Sequence, residues 1–359
     1  KNAVEVFSSN YELYGDMSSR MMRTIATLVP AIEVYSIDEC FADVTGIESV
    51  TELGRMIRSR VLKWVGIPTC VGIAPTKTLA KLSNHIAKRY HIFEGVFNWT
   101  ELTPERQEKA LSTIPAGDVW GVGRQISAAL ETMGITTALD LKNADEALIR
   151  RRFGVTLIRT QKELAGTPCI GFEPIAADRK QICCSRSFAQ NCSDADAVAS
   201  ALAVHAAQAA RRLRQQHCRA LAVSVFVLSN TFNPRQKQHV IHATTVFKYA
   251  TADTARITHA ACEMMRARFV RGVGYKKAGI ILSELVPEGT PEPLDLFDTP
   301  SPEQERREKL MQVLDSLTSR YGVSPLKTAV STLSSGAAMR RERLSRCYTT
   351  RIADVLTAN

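Results

Sequence analysis

The run from Ile32 to Gly46, IEVYSIDECFADVTG, constrains the fold of this chain more than any other stretch. Apolar and polar residues alternate along it as in a half-buried strand, yet Asp38 and Glu39 stand side by side in its middle. Because neighbours in a regular strand point to opposite faces, the two carboxylates can act together only where the backbone bends. We therefore expect two strands, IEVYS and ECFADVT, that meet at a bend near Ser36 with the carboxylates at its tip.

Hydrophobic periodicity divides the chain into segments of different character. Up to about residue 112, strands alternate with helices, and Asp16 and Thr76 are candidate helix caps. Residues 113–176 contain short helical patterns punctuated by glycines, which predict a small all-helical domain. Residues 177–286 follow the order β-α-β-β-α-β, which predicts a sheet with two helices on one face. The expected fold class is α+β with several domains.

The last part of the chain has a different composition. Residues 287–304 hold five of the fourteen prolines and are acidic, which predicts an extended linker. Within it, Leu294, Leu296 and Phe297 form an apolar cluster in a segment that is otherwise unable to pack, as is typical of a docking peptide. The alternative is a linker that folds back on its own domain. A helical segment and an arginine-rich end follow over residues 305–359.

Charge and cysteine content narrow the class of protein. The formal net charge of +10 favours an acidic partner, nucleic acid before an anionic membrane, with a soluble basic enzyme as the alternative. The nine cysteines show neither CxxC nor zinc-finger spacing, which indicates a reducing, cytosolic compartment without a structural metal. No apolar run approaches the ~20 residues that span a bilayer. The sequence opens on Lys1 rather than Met, which suggests a fragment boundary.

The adjacent carboxylates have a chemistry of their own. Asp38 and Glu39 offer oxygen ligands of the kind that Mg²⁺ prefers. Two such ions can activate a 3′-hydroxyl and stabilise a leaving pyrophosphate. The alternative is a solvated turn, which is the commoner meaning of an isolated Asp-Glu pair.

The helix after Thr76 carries three lysines on one face, Lys77, Lys81 and Lys88, opposite its apolar residues. Such a face near a helix N-terminus can bind a triphosphate, or it can simply be solvated.

The stretch GVGRQI, from Gly121 to Ile126, places a Gly-x-Gly turn between two short helical patterns. It does not match the dinucleotide fingerprint, whose third glycine would fall at Ile126. A turn of this kind leaves backbone N–H groups available to a phosphate, although it can also be a plain helix turn.

Taken in order, these motifs resemble the Y-family of translesion DNA polymerases. YSIDECFADVTG, followed about thirty residues later by CVGIAPTKTLAKLSNHIAK, resembles the catalytic palm, and FSSNYELYGDMSSR resembles the segment before it. DVWGVGRQISAALETMGITTALDL resembles the helix-hairpin-helix of the thumb. Together with LSRCYTTR near the end, the chain from residue 7 onward is similar to the UmuC-like branch of this family.

The resemblance implies error-prone translesion synthesis in the bacterial SOS response, by template-directed nucleotidyl transfer with two Mg²⁺ ions. Asp38 and Glu39 would be the catalytic metal ligands, and Lys88 would contact the triphosphate. Gly121, Gly123 and Arg124 would hold the DNA backbone without reading its sequence. The implied domains are a palm (1–112), a thumb (113–176), a little finger (177–286), a linker with a clamp-binding peptide (287–304) and a partner-binding region (305–359).

The resemblance also implies partners. They are damaged primer–template DNA, deoxynucleoside triphosphates, a UmuD′ dimer, RecA and the sliding clamp, in the bacterial cytoplasm and at the nucleoid when active. The clamp would bind Leu294, Leu296 and Phe297, with Pro293 standing where such peptides usually have Gln. Candidate DNA-backbone contacts in the little finger are Arg211, Arg212, Arg214 and Arg219.

The resemblance breaks at the front of the sequence. Family members begin with a strand that carries a third carboxylate, followed by fingers with a Tyr and an Arg for the nucleotide, and nothing before Phe7 matches these. We therefore expect this stretch alone to have little polymerase activity, since a key electrostatic stabiliser is missing. The main alternative is a non-catalytic DNA-binding and clamp-binding adaptor or relic. A nucleotide cyclase or a metal-dependent nuclease explains fewer of the motifs.

Overall fold

A computed structural model of the chain describes residues 4–175, 178–291, 302–321, 329–332 and 341–356. The predicted clamp peptide, Leu294, Leu296 and Phe297, lies outside the described residues. Among those described, no helix combines the length and apolarity that crossing a bilayer requires.

The described α-helices are α1 (Tyr11–Ala26), α2 (Val50–Val65), α3 (Lys77–Arg89), α4 (Pro104–Thr113), α5 (Arg124–Glu131), α6 (Ala138–Asn143), α7 (Glu146–Phe153), α8 (Val155–Leu164), α9 (Ala195–Gln215), α10 (Thr254–Arg266) and α11 (Pro302–Tyr321). The strands are β1 (Ala31–Val34), β2 (Cys40–Asp43), β3 (Val71–Ile73), β4 (Val96–Asn98), β5 (Ile182–Cys192), β6 (Cys218–Ser229), β7 (Val240–Thr251) and β8 (Tyr275–Pro287).

The chain divides into two compact units. The hairpin unit comprises Ser9–Ala177 and Ser345–Asn359, and the sheet unit comprises Lys1–Ser8 and Asp178–Leu344. Each unit is therefore built from two separate stretches of the chain. The finer division into palm, thumb and little finger stays a prediction.

Helix α1 begins earlier than its sequence pattern predicts. The buried Asn10 side chain accepts a hydrogen bond from the Leu13 N–H at 3.3 Å and so caps the helix at Tyr11. The prediction that Asp16 is the cap was wrong, because Asp16 lies inside the helix and pairs with Arg20 at 2.7 Å. Asparagine is as good a cap as aspartate, and here it is the residue at the point where the chain turns into the helix.

A small core joins α1 and α2 to the β1–β2 hairpin. Buried residues on the two helices form its centre: Met21, Met22, Ile25, Ile57 and Val61. Ile32 and Ala42, which face each other across the hairpin, pack against it. The hairpin is antiparallel, with Val34 opposite Cys40 at its end. The expected pair of strands is thus confirmed, and one face of the hairpin is fixed by hydrophobic contact.

Helix α3 packs directly on β3, which pairs in parallel with β4. Thr76 caps α3 as predicted, with its side chain accepting from the Leu79 N–H at 3.3 Å. Gly72 lies so near the helix that an added Cβ would stand 2.1 Å from the Asn84 backbone nitrogen. The apolar face of α3 shares one core with α4 to α8, so the helix is held from two sides.

The sheet unit contains one antiparallel sheet in the strand order β5-β8-β6-β7. Its sequence of elements, β5-α9-β6-β7-α10-β8, confirms the predicted β-α-β-β-α-β order. Helices α9 and α10 contact each other and the sheet, and their buried residues share its core, including Leu202, Leu213, Ile257 and Met265. The alternation of buried and exposed residues along β6 follows the period of two expected for a sheet covered on one face.

Helix α11 starts inside the predicted linker and docks on the sheet unit. The Arg214 guanidinium donates to both carboxylate oxygens of Asp315, at 2.6 and 2.8 Å, and to the Ala252 carbonyl at 2.6 Å. Met311 is buried beside this pair. Arg214, a candidate DNA contact from the sequence, is therefore occupied in holding α11.

Candidate active site

The tip of the β1–β2 hairpin carries the two predicted catalytic carboxylates. The backbone bends over residues 36–38, and the Glu39 carbonyl accepts from the N–H groups of Tyr35 and Ser36 at 3.1 and 3.0 Å. Asp38 and Glu39 thus lie at the turn rather than within a regular strand. The bend that the sequence required for them is present.

Ser36 fixes the position of Asp38. Its hydroxyl donates to Oδ1 of Asp38 at 2.6 Å, and the Asp38 N–H donates back to the Ser36 hydroxyl at 3.3 Å. This local pair of bonds is the kind by which serine and aspartate stabilise turns. The Asp38 side chain remains exposed to solvent.

Two ion pairs join the hairpin to the first turns of α3. Lys81 Nζ lies 2.6 Å from Oε1 of Glu39, and Lys77 Nζ lies 2.5 Å from Oε2 of Glu33. The Lys77–Glu33 pair is the more enclosed, with side chains 11% and 17% exposed against 22% and 39% for Lys81 and Glu39. The partly exposed Lys81 can therefore leave Glu39 more easily than Lys77 can leave Glu33.

An aromatic cluster of Tyr35, Phe41 and Trp120 lies against these pairs, with ring centroids 5.6–5.9 Å apart. The Trp120 indole N–H donates to the Tyr35 hydroxyl at 3.1 Å. Lys81 Nζ stands 5.4 Å from the Tyr35 ring and Lys77 Nζ 5.0 Å from the Phe41 ring, which are cation–π distances. Since Trp120 directly precedes Gly121, this cluster brings the glycine turn beside the hairpin.

The glycine turn from Gly121 to Gly123 has a backbone conformation that depends on its first glycine. Gly121 adopts a positive φ of 92°, which a side chain would strain. Gly123 is the N-cap of α5, and Arg124, its first residue, is exposed. The buried Val122 anchors the turn between them. The segment before the turn is a single 3₁₀ turn, Ala116–Asp118, and not the α-helix that the pattern indicated.

Lys88 occupies a different place from the other two lysines. It is exposed in the last turn of α3, seven residues beyond Lys81 and therefore about 10 Å further along the helix axis. The structure brings Lys77 and Lys81, which the sequence favoured less, to the hairpin. Lys88 lies on nearly the same face of the helix as Lys81, because seven residues make almost two turns.

Among the described residues, no group of three or more His, Cys, Asp or Glu side chains could hold a metal ion. The hairpin offers two carboxylates, each with one oxygen, Oδ2 of Asp38 and Oε2 of Glu39, outside the hydrogen bonds found in the described part of the chain. Two hard oxygen donors suit Mg²⁺. The neighbouring Cys40 contributes no charge at neutral pH, since burial raises the pKa of its thiol to about 11.

Sequence reasoning missed two glutamates. Glu33 pairs with Lys77 and lies between apolar neighbours in β1. A charged residue in an otherwise apolar strand is the sequence signal that could have identified it. Glu163 is fully buried in α8 and binds the start of α3. Its partners on α3 lie more than eighty residues away, and no local pattern indicates them.

Comparison with known proteins identifies the family. The impB/mucB/samB family matches residues 1–85, its C-terminal domain matches residues 179–296, and a domain of unknown function matches residues 308–358. The chain is 41% identical to the UmuC protein of Salmonella typhimurium over 99% of this chain and 84% of that protein. It is 41% identical to SamB of Salmonella typhimurium with the same coverage, and 39% identical to MucB of Escherichia coli over 98% and 82%.

The fold agrees with this relationship. A solved Y-family DNA polymerase chimera of Dbh and Dpo4 superposes with a TM-score of 0.57 at 20% identity, covering 77% of this chain and 78% of that one. The described palm-like hairpin, helical segment and four-stranded sheet are thus elements of that fold. The chain belongs to the impB/mucB/samB family of UmuC-like Y-family DNA polymerases, whose reaction is error-prone translesion DNA synthesis.

Proposed function

We propose that the hairpin tip is the nucleotidyl-transfer centre of this chain and that Asp38 and Glu39 hold Mg²⁺ there. The observation that carries the proposal is the bend at residues 36–38, which presents both carboxylates at one turn while Ser36 fixes Asp38. Bound Mg²⁺ would supply charge stabilisation for the attacking and leaving oxygens of phosphoryl transfer. Within the part of the chain that the structure describes, no third side chain of this kind joins the two carboxylates in a metal-binding group.

The lysines of α3 fit the other half of this chemistry. Lys81 neutralises Glu39 at 2.6 Å in this structure, and its partly exposed side chain is free to turn toward a triphosphate when a cation replaces it. Lys88, two turns further along nearly the same face, would meet the distal phosphates. Lys77 would remain on Glu33 as a fixed positive charge behind the hairpin.

The glycine turn fits contact with the DNA backbone. The positive φ of Gly121, the open N-terminus of α5 at Gly123 and the exposed Arg124 suit a phosphate and carry no sequence information. The contact between Trp120 and Tyr35 would keep this turn at a fixed distance from the carboxylates. Primer–template DNA and deoxynucleoside triphosphates are therefore the proposed substrates.

The same relationship supports further partners. The UmuC relatives and the resemblance of residues 293–297 to a clamp peptide favour binding to a UmuD′ dimer, RecA and the sliding clamp. The bacterial cytoplasm, and the nucleoid during activity, is the proposed site of action.

The test compares Asp38→Asn and Glu39→Gln with Glu48→Gln, an exposed glutamate just beyond the hairpin. Mn²⁺ binding is measured by electron paramagnetic resonance with primer–template present, and primer extension is measured across Mg²⁺ concentrations. We expect both hairpin variants to weaken Mn²⁺ binding at least about tenfold, as loss of a charged ligand implies, and to abolish any extension. Glu48→Gln should match the unmodified chain.

The competing adaptor hypothesis makes the opposite prediction. If the chain binds primer–template but Asp38→Asn and Glu39→Gln change neither Mn²⁺ binding nor extension, the hairpin is not a metal centre. The Gly121 turn would then be the functional part, and Arg124→Ala should reduce DNA affinity without any effect of Mg²⁺.

A further inference from the structure

Glu163 is a fully buried carboxylate in α8 that accepts four hydrogen bonds. Its Oε2 accepts from the backbone N–H and the hydroxyl of Thr78, both at 2.8 Å. Its Oε1 accepts from the N–H groups of Cys169 and Ile170, at 3.1 and 2.9 Å. The Glu163 carbonyl additionally accepts from the Thr76 hydroxyl at 2.9 Å. All of these partners donate, so the Glu163 carboxylate acts as the acceptor in every one of these bonds.

The first turn of α3 is a favourable environment for the Glu163 carboxylate. Thr78 is the second residue of the helix, and its N–H is one of the donors that the helix itself leaves without a partner. The positive end of the helix dipole also stabilises an anion there. Thr76 and Glu163 therefore each accept a hydrogen bond from an N–H group in the first turn of α3.

A second connection runs from Glu163 to the hairpin through residues 169–173. This segment starts on the Glu163 carboxylate, and its other end is fixed where the Glu173 N–H donates to Oε2 of Glu33 at 2.6 Å. Between these points the Gly171 carbonyl accepts from Lys77 Nζ at 2.6 Å. Lys77 is thus enclosed by Glu33 and the segment, and both the lysine's helix and the segment are bound to Glu163.

We propose that Glu163 is a positioning residue that commits Lys77 to Glu33 and keeps it away from Glu39. Without this constraint, the first turn of α3 and residues 169–173 would separate, and Lys77 would be released beside the hairpin tip. A second ammonium group there would compete with a cation for Glu39. The part of the inference that concerns the cation rests on the proposed function of the hairpin.

The experiment measures the reactivity of Lys77 directly. Competitive acetylation with isotopically labelled acetic anhydride, read by mass spectrometry, gives the rate for each lysine of the full chain. In Glu163→Gln we expect the Lys77 rate to rise about tenfold relative to Lys162, a partly exposed lysine that pairs with Glu146. This is the change that follows from losing one hydrogen bond to a charged group. Glu131→Gln, an exposed glutamate of α5 whose carboxylate accepts from the Ser127 hydroxyl, is the matched control and should leave the ratio unchanged.

A parallel measurement of Mn²⁺ binding separates this inference from the proposed function. We expect Glu163→Gln to weaken Mn²⁺ binding by roughly three- to tenfold. If Lys77 reactivity does not rise, Glu163 does not position Lys77, whatever the Mn²⁺ result. If Lys77 reactivity rises but the unmodified chain shows no Mn²⁺ binding sensitive to Asp38→Asn, the positioning role stands and the metal site fails.

A general loosening would raise all lysine rates together, including Lys142 and Lys162, and would overturn a specific role. Should Glu163→Gln fail to fold, Thr78→Val removes one donor and leaves the buried carboxylate in place. The ratio of the Lys77 rate to the Lys162 rate should then rise too, but by less than in Glu163→Gln. An unchanged ratio would contradict the proposal.

Discussion

At the scale of single residues, the hairpin tip shows how a short side chain can prepare a carboxylate. The Ser36 hydroxyl donates to Oδ1 of Asp38 at 2.6 Å and so restricts the rotamer of the Asp38 side chain. The other carboxylate oxygen is left without a hydrogen bond to the described residues. Glu39 is treated differently, since its charge is balanced by Lys81. Asp38 is held in position by Ser36, whereas the charge of Glu39 is neutralised by Lys81. Substitutions that remove one or the other contact should therefore have different effects on cation binding.

Ser36→Ala tests the positioning of Asp38. The variant removes the hydroxyl donor and leaves both carboxylates, so we expect a weaker apparent affinity for Mg²⁺ by roughly three- to tenfold, as for loss of one hydrogen bond. The measurement is Mn²⁺ binding by electron paramagnetic resonance. Ser36→Thr keeps the hydroxyl and should retain affinity, and equal affinities for the two variants would show that the hydroxyl is irrelevant.

His205 gives a pH dependence that belongs to the sheet unit. Burial lowers the pKa of this histidine from 6.5 to about 4, with the charge of Arg186 as a smaller cause. The unfolded chain therefore takes up the proton more readily, so stability is full above about pH 7 and falls as the pH drops from 6.5 to 4. The loss amounts to roughly 3 kcal/mol.

Urea unfolding of the sheet unit at pH 7.5 and pH 4.5 measures this effect. His205→Gln should remove most of the difference between the two pH values, while the exposed His91→Gln should preserve it. A pH dependence that is the same in His205→Gln as in the unmodified chain would assign the effect to other groups.

At the scale of elements, α3 is the structural centre of the candidate site. Its apolar face packs on the helical core, its first turn is bound by Glu163, and Lys77 and Lys81 reach the hairpin. The approach of α3 to β3 depends on Gly72, where a Cβ would meet backbone atoms of the helix. Backbone cannot give way as a flexible side chain can.

Gly72→Ala should therefore be strongly destabilising. Overpacking of this kind costs roughly 1–3 kcal/mol and more where the clash is with backbone, and α3 would shift away from the hairpin. Urea unfolding monitored by circular dichroism gives the loss. Gly15→Ala is the matched control, because Gly15 lies inside α1 with nothing within 4 Å of an added Cβ, and it should gain about 0.5–1 kcal/mol. Similar stabilities of the two variants would contradict the packing argument.

The features that could be predicted from the sequence are those whose interacting residues lie close together along the chain. The hairpin bend, the Thr76 cap and the order of elements in the sheet unit are encoded within a few residues, by alternation, capping chemistry and periodicity. Helix α1 begins at Tyr11 because Asn10, a cap equally good by type, lies six residues before Asp16. Glu163 could not be identified, since its role depends on a partner 85 residues away. The resemblance supplied the candidate functional residues, whose roles the local patterns left open.

At the scale of the whole molecule, the end of the chain returns to its beginning. The Asn10 amide donates to the Ser345 carbonyl at 3.1 Å and to the Cys347 sulfur at 3.5 Å, inside the hairpin unit. Asn10 is fully buried and Cys347 nearly so. One asparagine therefore caps α1 and holds the C-terminal segment.

Asn10→Ala should release that segment. We expect the Cys347 thiol, shielded in the unmodified chain, to react at least about tenfold faster with a maleimide, since several hydrogen bonds are lost together. Mass spectrometry of labelled peptides measures the rate, and Cys262, buried in the sheet unit, is the internal reference. An unchanged Cys347 rate would show that Asn10 acts only as a helix cap.

The closure of the hairpin unit by residues 335 positions apart has a consequence for synthesis. A ribosome adding ~5–20 residues per second needs roughly 20–70 s to pass from one side of this contact to the other. During that interval the N-terminus of α1 has emerged but its last partner does not yet exist. The hairpin unit is thus completed only after the sheet unit has been made, so a nascent chain arrested before Ser345 carries an unfinished hairpin unit.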